Sequence, residues 1–368
     1  MLTMGADRPP AALWVCGRAG GSHRYEEQGL SADAAERVRS LYCASKPMVA
    51  MAVLSLLERA HLELEHMRVG PDGTPVDQGG CPVADLLWHR SPFVGPTIWE
   101  ALRYPLGTLE DELCRAAPRT AAGGGRPGYS DVLAWFVLTR LAEALAGRSW
   151  VADLQRALRR LVGPSLWLRP DRELLELPAE AQITLLARHR GAEVPMVHAL
   201  TRRTRALASP YLGALGSYAA MVSWFQAFAS HVHSGAGTTE LFPSAAYLGR
   251  SIERCGRAGQ RHAASLEVRA PGTACAGLVG VQAAGGALSV WCDPATAHVV
   301  GVLGGTFLED PAERRRWCAA QLDNAWAWAG AIARPVGRDQ PSRGPAGRAD
   351  AWRGQVPLAV EASGAARG

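Results

Sequence analysis

The chain has 368 residues, 48% hydrophobic and 20% charged, which is material for a large packed core and excludes an intrinsically disordered protein. No stretch of about eighteen uncharged apolar residues occurs, so no membrane-spanning helix and no membrane partner are expected. The net charge of +5 includes the clusters RRTR (202–205) and RRR (314–316), which lack interleaved aromatics and are expected to be solvated faces rather than a nucleic-acid surface.

In chain order, MLTMGADRPPAALWV shows no basic region, apolar stretch and cleavage site in succession, so a cytoplasmic protein without a signal peptide is expected. AALWVC (11–16) predicts a short buried strand. KPMVAMAVLSLLERA predicts a helix over 46–60 that is apolar on all sides and therefore central. Residues 61–128 mix short helices and loops and end in the Gly/Pro-rich AAGGGRPG. DVLAWFVLTRLAEALA predicts a second strong helix over 131–146, closed by Gly147, with further helices near 150–161 and 216–230. His231 and His233 then fall in a loop and, without a third ligand at sensible spacing, are not read as a metal site. SLEV, GLVGVQA, ALSVWCD and HVVGVLG predict antiparallel strands. The Gly-rich run at 284–287 lacks the strand–helix context of a dinucleotide fingerprint. An amphipathic helix over about 310–333 follows, and the Pro-, Gly- and Arg-rich remainder (336–368) is expected to be a disordered tail.

Strands at both ends of the chain around a helical middle predict one antiparallel sheet of about five strands flanked by helices. That α/β lobe would use residues 8–60 and 240–335, with an all-helical lobe over about 61–239 and a ligand cleft between the two. The eight cysteines form no C-x-x-C pair, so reduced thiols are expected rather than a disulfide framework or a zinc ribbon.

One side chain stands out by composition. Of 39 basic residues, Lys46 is the only lysine and the other 38 are arginine; asparagine occurs once, at Asn324. Both scarcities point to a GC-biased genome. Arginine can replace a surface lysine, but it cannot give up its proton, whereas a desolvated lysine can act as a general base. The bland alternative is chance survival. Cys43 lies one helical turn upstream, on the same face, where a helix N-terminus and an adjacent cation favour the thiolate. Its bland alternative is a small buried hydrophobe. Ser45 is a competing nucleophile, although its place beside Lys46 points it off the lysine's face.

At this point the chain resembles the class C β-lactamase-like serine hydrolases and esterases. Cys43-Ala44-Ser45-Lys46-Pro47 and the apolar helix after it resemble the S-x-x-K segment of that family. CPVADLLWHRSPF (81–93) resembles its LLTHTSGL stretch through Leu86, Leu87, His89 and Ser91, where His89 reads as a structural hydrogen-bonder. RPGYSDVLAWF resembles its second motif, with Tyr129 matching the tyrosine. The resemblance spans roughly residues 11–333 and implies a β-lactamase/transpeptidase-like α/β (α+β) fold occupying 8–335. It implies Cys43 as the acylated nucleophile, Lys46 as its base and Tyr129 as a proton shuttle to the leaving group. Backbone N–H groups of Cys43 and of a sheet-edge residue would form the oxyanion hole.

Three departures qualify what the resemblance implies. Cys43 replaces serine, which codon bias does not explain. Asp131 replaces a common asparagine, either as drift or as a carboxylate that holds Lys46 or a cationic substrate. The family's K/H-T-G strand motif falls on Val281-Gln282-Ala283, with Ala284 expected to supply the second oxyanion N–H. Loss of that motif argues against β-lactam recognition. The function expected is therefore acyl transfer through a Cys43 thioester, from a small-molecule thioester, ester or amide, in secondary metabolism such as antibiotic biosynthesis. Carrier-protein and CoA thioesters are among the donors admitted, and no cofactor or metal is required. A hydrolase (esterase, amidase or thioesterase) and a degenerate binding member remain the alternatives.

Overall fold

The computed structural model describes residues 10–333, apart from 19–20, 106, 123–126, 179–180, 183–185, 190–191, 196–200, 256–261, 269–276 and 284–286. The tail at 336–368 and Ala284 thus lie outside the described residues.

The main sheet is built from both ends of the chain. Its strands are β1 (Ala12–Arg18) and β2 (Arg24–Gln28) from the N-terminal part. The C-terminal part adds strands that bear higher numbers below, because the strands of a small second sheet come first: β3 (Val38–Ser40), β4 (Leu166–Trp167) and β5 (Leu215–Ser217). The C-terminal strands are β6 (His262–Ala263), β7 (Leu266–Val268), β8 (Val279–Ala283), β9 (Leu288–Asp293) and β10 (His298–Gly304). The order is β6-β7-β8-β9-β10-β1-β2, antiparallel throughout. Seven strands replace the expected five or so, because the two edge strands lack the apolar pattern that marks the interior ones. β2 reads RYEEQ, a charged edge that resists pairing with another chain. β9 and β10 are buried almost end to end, as strands covered on both faces must be.

Five helices matter for the site. They are α1 (Lys46–Arg59), α2 (Leu133–Ala146), α3 (Trp150–Val162), α4 (Tyr218–Ser234) and α5 (Pro311–Ala333). Every residue of α1 from Lys46 to Leu57 is buried, in keeping with its all-round apolarity. α2 ends at Gly147, whose φ of 92° suits a residue without a Cβ. α4 packs on β9 and β10 from one side of the sheet, and α5 covers β1 and β10 from the other. Trp14 on β1 donates its indole N–H to Gln321 of α5 at 2.7 Å.

Some expectations need correction. His231 and His233 are not in a loop: α4 runs on to Ser234 and stops where Gly235 adopts a left-handed conformation. His231 is buried and its ring Nε2 bonds the Pro243 carbonyl at 2.8 Å, so packing carries the helix past the point where polarity rises. The middle of the chain is not purely helical either. β3, β5 and β4 form a small sheet, and Leu186–His189 pairs with Ala192–Pro195. In RRTR, Arg203 bonds the Leu102 and Tyr104 carbonyls and Arg205 bonds Leu177 O, so part of this cluster ties loops together rather than only facing water.

α4 approaches the sheet closely at Gly301, where a Cβ would fall 2.2 Å from the Tyr218 hydroxyl. That hydroxyl donates to Ser289 O at 2.6 Å, so it has little freedom to move aside. Gly301→Ala is therefore expected to cost about 1–3 kcal/mol by overpacking. In the Tyr218→Phe background the same change should cost less. Urea unfolding of the two single variants and the double variant measures the difference, and strict additivity would refute the clash.

Candidate active site

The turn that carries the two candidate nucleophiles begins at β3. This strand pairs with β5 in the register Val38↔Ser217, Arg39↔Gly216 and Ser40↔Leu215, which anchors the chain just ahead of residues 41–45. A 3-10 turn over Tyr42–Ser45 then leads directly into α1. Tyr42 adopts φ 46°, a left-handed conformation that a bulky residue rarely takes without outside support. The support is visible. Leu41 N donates to Ala214 O at 2.9 Å, and Ser45 Oγ donates to Tyr42 O at 2.9 Å while accepting from Ala214 N at 2.9 Å. Gly213 also packs so tightly that a Cβ there would sit 2.7 Å from Tyr42 O.

This arrangement separates the two candidate nucleophiles. Ser45 is fully buried and its hydroxyl is engaged in locking the turn. Cys43 is only half-buried and stands in the first turn, where helical N–H groups lack intrahelical acceptors. Arg39, two residues before Leu41, is 3% exposed beneath the turn. Burial pulls its guanidinium down to about 10, against the opposing influence of Tyr42 and Tyr218.

Lys46 follows at the start of α1 and is 4% exposed. Its Nζ donates to the Tyr129 hydroxyl at 2.8 Å and to Ser130 O at 3.1 Å. The amine also lies 4.4 Å from the centre of the Tyr129 ring and 5.6 Å from that of Trp135. The segment that supplies these partners is itself fixed. Gly128 N donates to Ser91 O at 3.2 Å, stitching it to the 81–93 stretch, and Ser130 Oγ accepts from Ala134 N to hold the start of α2.

Tyr129 connects the two ends of the site. The residue is 44% exposed, while its hydroxyl accepts from Lys46 and lies beside Cys43. Burial of the hydroxyl pushes its pKa well above the usual tyrosine range, and the neighbouring Cys43, Asp131 and Glu267 push the same way. The phenol thus stays protonated through the neutral range. His89, at φ 54°, stacks on the open ring at 4.4 Å between centroids and 26° between planes.

The structure thus brings Cys43, Lys46 and Tyr129 together. Asp131 is half-buried and stands near Tyr129, but it forms no ion pair with Lys46. Ala283 ends β8, the strand that runs beside the Tyr42–Ser45 turn, and is buried. Ala284 lies outside the described residues, so its N–H is not placed. Among the described residues, no three His, Cys, Asp or Glu side chains are grouped to hold a metal ion.

Two contributors were not legible in the sequence as site residues. Glu267 sits on β7 opposite Gly280 of β8, and its carboxylate accepts from Gln282 N at 3.4 Å. Strand pairing alone brings it near Tyr129. Ser45 carried a signal only as a rival nucleophile, whereas its partner Ala214 lies 169 positions away.

A family model described as Beta-lactamase matches residues 11–323. The chain belongs to this family. A comparison with curated protein sequences gives no match. Among solved structures, EstA from Arthrobacter nitroguajacolicus Rue61a is 16% identical, with 89% of this chain and 93% of that one covered at a TM-score of 0.58. EstCE1, described as a hydrolase with promiscuous acyltransferase activity, is 14% identical over 85% of this chain and 93% of its own, at 0.57. The D-amino acid amidase from Ochrobactrum anthropi SV3 is 12% identical over 88% and 94%, at 0.55. At these identities the likeness establishes the β-lactamase/transpeptidase fold: an antiparallel sheet flanked by helices.

Removing the Ser45 hydroxyl strands Ala214 N and Tyr42 O in the core. Ser45→Ala is expected to lose about 1–3 kcal/mol of stability while Cys43 still alkylates with iodoacetamide. Denaturant midpoints and peptide mass mapping check both halves. Loss of Cys43 labelling in a variant that remains folded would reassign the serine to the chemistry.

Proposed function

We propose that this protein is an acyl-transfer enzyme that works through a thioester on Cys43. The observation that carries the reading is the contact of Lys46 Nζ with the Tyr129 hydroxyl, which itself adjoins the thiol, while Ser45 is occupied structurally. Family membership and the descriptions of EstCE1 and the amidase support acyl chemistry in general. The thioester is the further step.

In the proposed cycle, the Cys43 proton passes by way of the Tyr129 hydroxyl toward Lys46, and the sulfur attacks the acyl carbon. The new carbonyl oxyanion would take hydrogen bonds from Cys43 N–H and from the end of β8. Tyr129 returns the proton to the leaving alcohol, amine or thiol as its bond to carbon breaks. An acceptor amine or alcohol then attacks the thioester, gives up its proton along the same path, and expels the sulfur. A thioester discriminates in favour of amines over water more than an oxygen ester does, which favours transfer. The acyl donor and acceptor are small molecules, with carrier-protein and CoA thioesters among the donors, and biosynthesis of a secondary metabolite such as an antibiotic is the setting that suits this chemistry. Seven free cysteines among the described residues support a reducing, cytoplasmic compartment.

The decisive experiment is intact mass after incubation with aryl thioesters and esters. An acyl adduct on Cys43 is expected, with none in Cys43→Ala; no adduct in the wild type, or turnover by the alanine variant, would refute the reading. Cys43→Ser, if active, should release proportionally more hydrolysed than transferred product with an amine acceptor. An unchanged ratio would remove the sulfur's role and favour an ordinary hydrolase. Iodoacetamide supplies an independent check. Burial raises the thiols of Cys16, Cys81, Cys255 and Cys292, that of Cys81 to about 12. Exposed Cys114 is the useful internal reference, and Cys43 should label faster than it does.

Lys46→Arg keeps the charge but removes the transferable proton, so acylation should fall by about 10²–10⁴-fold in a folded protein. Near-normal acylation would take Lys46 out of the mechanism. Since Asp131 does not pair with Lys46, Asp131→Asn should keep or raise activity by removing a charge that makes the Tyr129 proton harder to donate. A sharp loss in kcat/KM would assign the carboxylate to a cationic substrate instead.

A further inference from the structure

A cavity of about 350 Å³ lies at the opposite end of the strand order from β6 and β7, beneath α5 rather than beside α1. Its walls come from the end of β1, the starts of β2 and β10 and the last turns of α5. Register explains its chemistry. Cys16 and Arg18 are two apart on β1 and share a face. Cys16 pairs with Arg24 and Arg18 pairs with His298, so both arginines and the imidazole project from that same face. This is the face that α5 covers, as the Trp14–Gln321 bond shows.

Over these groups α5 lays Trp326, Ala329, Gly330 and Ile332. Gly330 leaves room: a Cβ there would meet nothing within 4 Å. The cavity therefore has an apolar wall of Trp326, Ala329 and Ile332 and a cationic mouth of Arg18 and Arg24. None of its described lining residues is acidic, and neither arginine has a carboxylate partner within ion-pair distance among the described residues. Burial, and after it Arg18, lowers the pKa of His298 against the opposing pull of Asp293, its neighbour across β9 and β10.

We infer that this cavity binds an amphipathic monoanion, such as a medium-chain or aromatic carboxylate, with its anionic head at Arg18 and Arg24 and its apolar body against Trp326 and Ile332. The size is within the range of small-molecule sites, and the pairing of a few polar groups with an apolar lining is what fixes a ligand's orientation. Arginine forks hold carboxylates and sulfonates by charge-assisted, bidentate hydrogen bonds. The site is independent of the chemistry proposed for Cys43.

The probe is 8-anilinonaphthalene-1-sulfonate, read by its own fluorescence on the full chain. Saturable binding at one site is expected, displaced by decanoate but not by decyltrimethylammonium. Binding should weaken about tenfold or more in Arg18→Ser/Arg24→Ser and, independently, in Gly330→Leu, which adds an apolar side chain to the cavity lining where a Cβ meets nothing within 4 Å. Prior alkylation of Cys43 should leave the affinity unchanged, and both variants should label Cys43 at the wild-type rate. Non-saturable binding, equal displacement by the cation, unaltered affinity in both variants, or loss of binding on alkylation of Cys43 would each overturn the assignment.

Discussion

The arrangement around Cys43 depends on one buried amine. Lys46 Nζ joins the first turn of α1 to a segment more than eighty residues later, through one phenolic oxygen and one backbone carbonyl. A lysine with 4% exposure is tolerable only where its donors are satisfied. Satisfying them forces Tyr129 and Ser130 into place. Tyr129 then reaches Cys43, His89 packs on the face left open, and Ser130 caps the start of α2. Removal of the amine would disturb position as well as chemistry.

A second constraint acts on the backbone. The Tyr42 conformation is unfavourable by itself, and the chain counters it with hydrogen bonds from the Gly213–Ala214 segment and a serine whose only visible task is to hold the turn. Strain held this way fixes the direction of Cys43 Sγ and of its N–H together. In the proposed cycle, a thiol on a looser loop would lose its alignment with the oxyanion donors, which act only if they are prearranged.

What could be read from the residues was whatever repeats at short range. The spacing of Cys43 and Lys46, the apolar α1 and the β-prone runs of the inner strands all lie within one element each, and the motifs around His89 and Tyr129 are contiguous. The features that escaped are long-range. Glu267 reaches the site through strand pairing, Ser45 acquires its task from Ala214, and α4 extends past His231 because the Pro243 carbonyl receives its ring. β2 was hidden for a different reason: an edge strand that avoids aggregation must look polar.

The replacement of serine by cysteine fits the geometry of the amine. Lys46 contacts Tyr129 and Ser130 O rather than the thiol, so any base effect on Cys43 must pass through a phenol whose pKa is raised. Such a relay is a poor activator for an alcohol, which is barely acidic. In the proposed cycle it is asked to serve only a thiol, which ionises several pKa units lower and is the stronger nucleophile once it does. Burial, and after it Cys43, Asp131 and Glu267, keep the same phenol protonated, so it can relay a proton but is a weaker acid than a free tyrosine. In the proposed cycle, sulfur at position 43 lessens the demand on that relay, while Asp131, the departure beside Tyr129, makes the phenol's proton harder to donate.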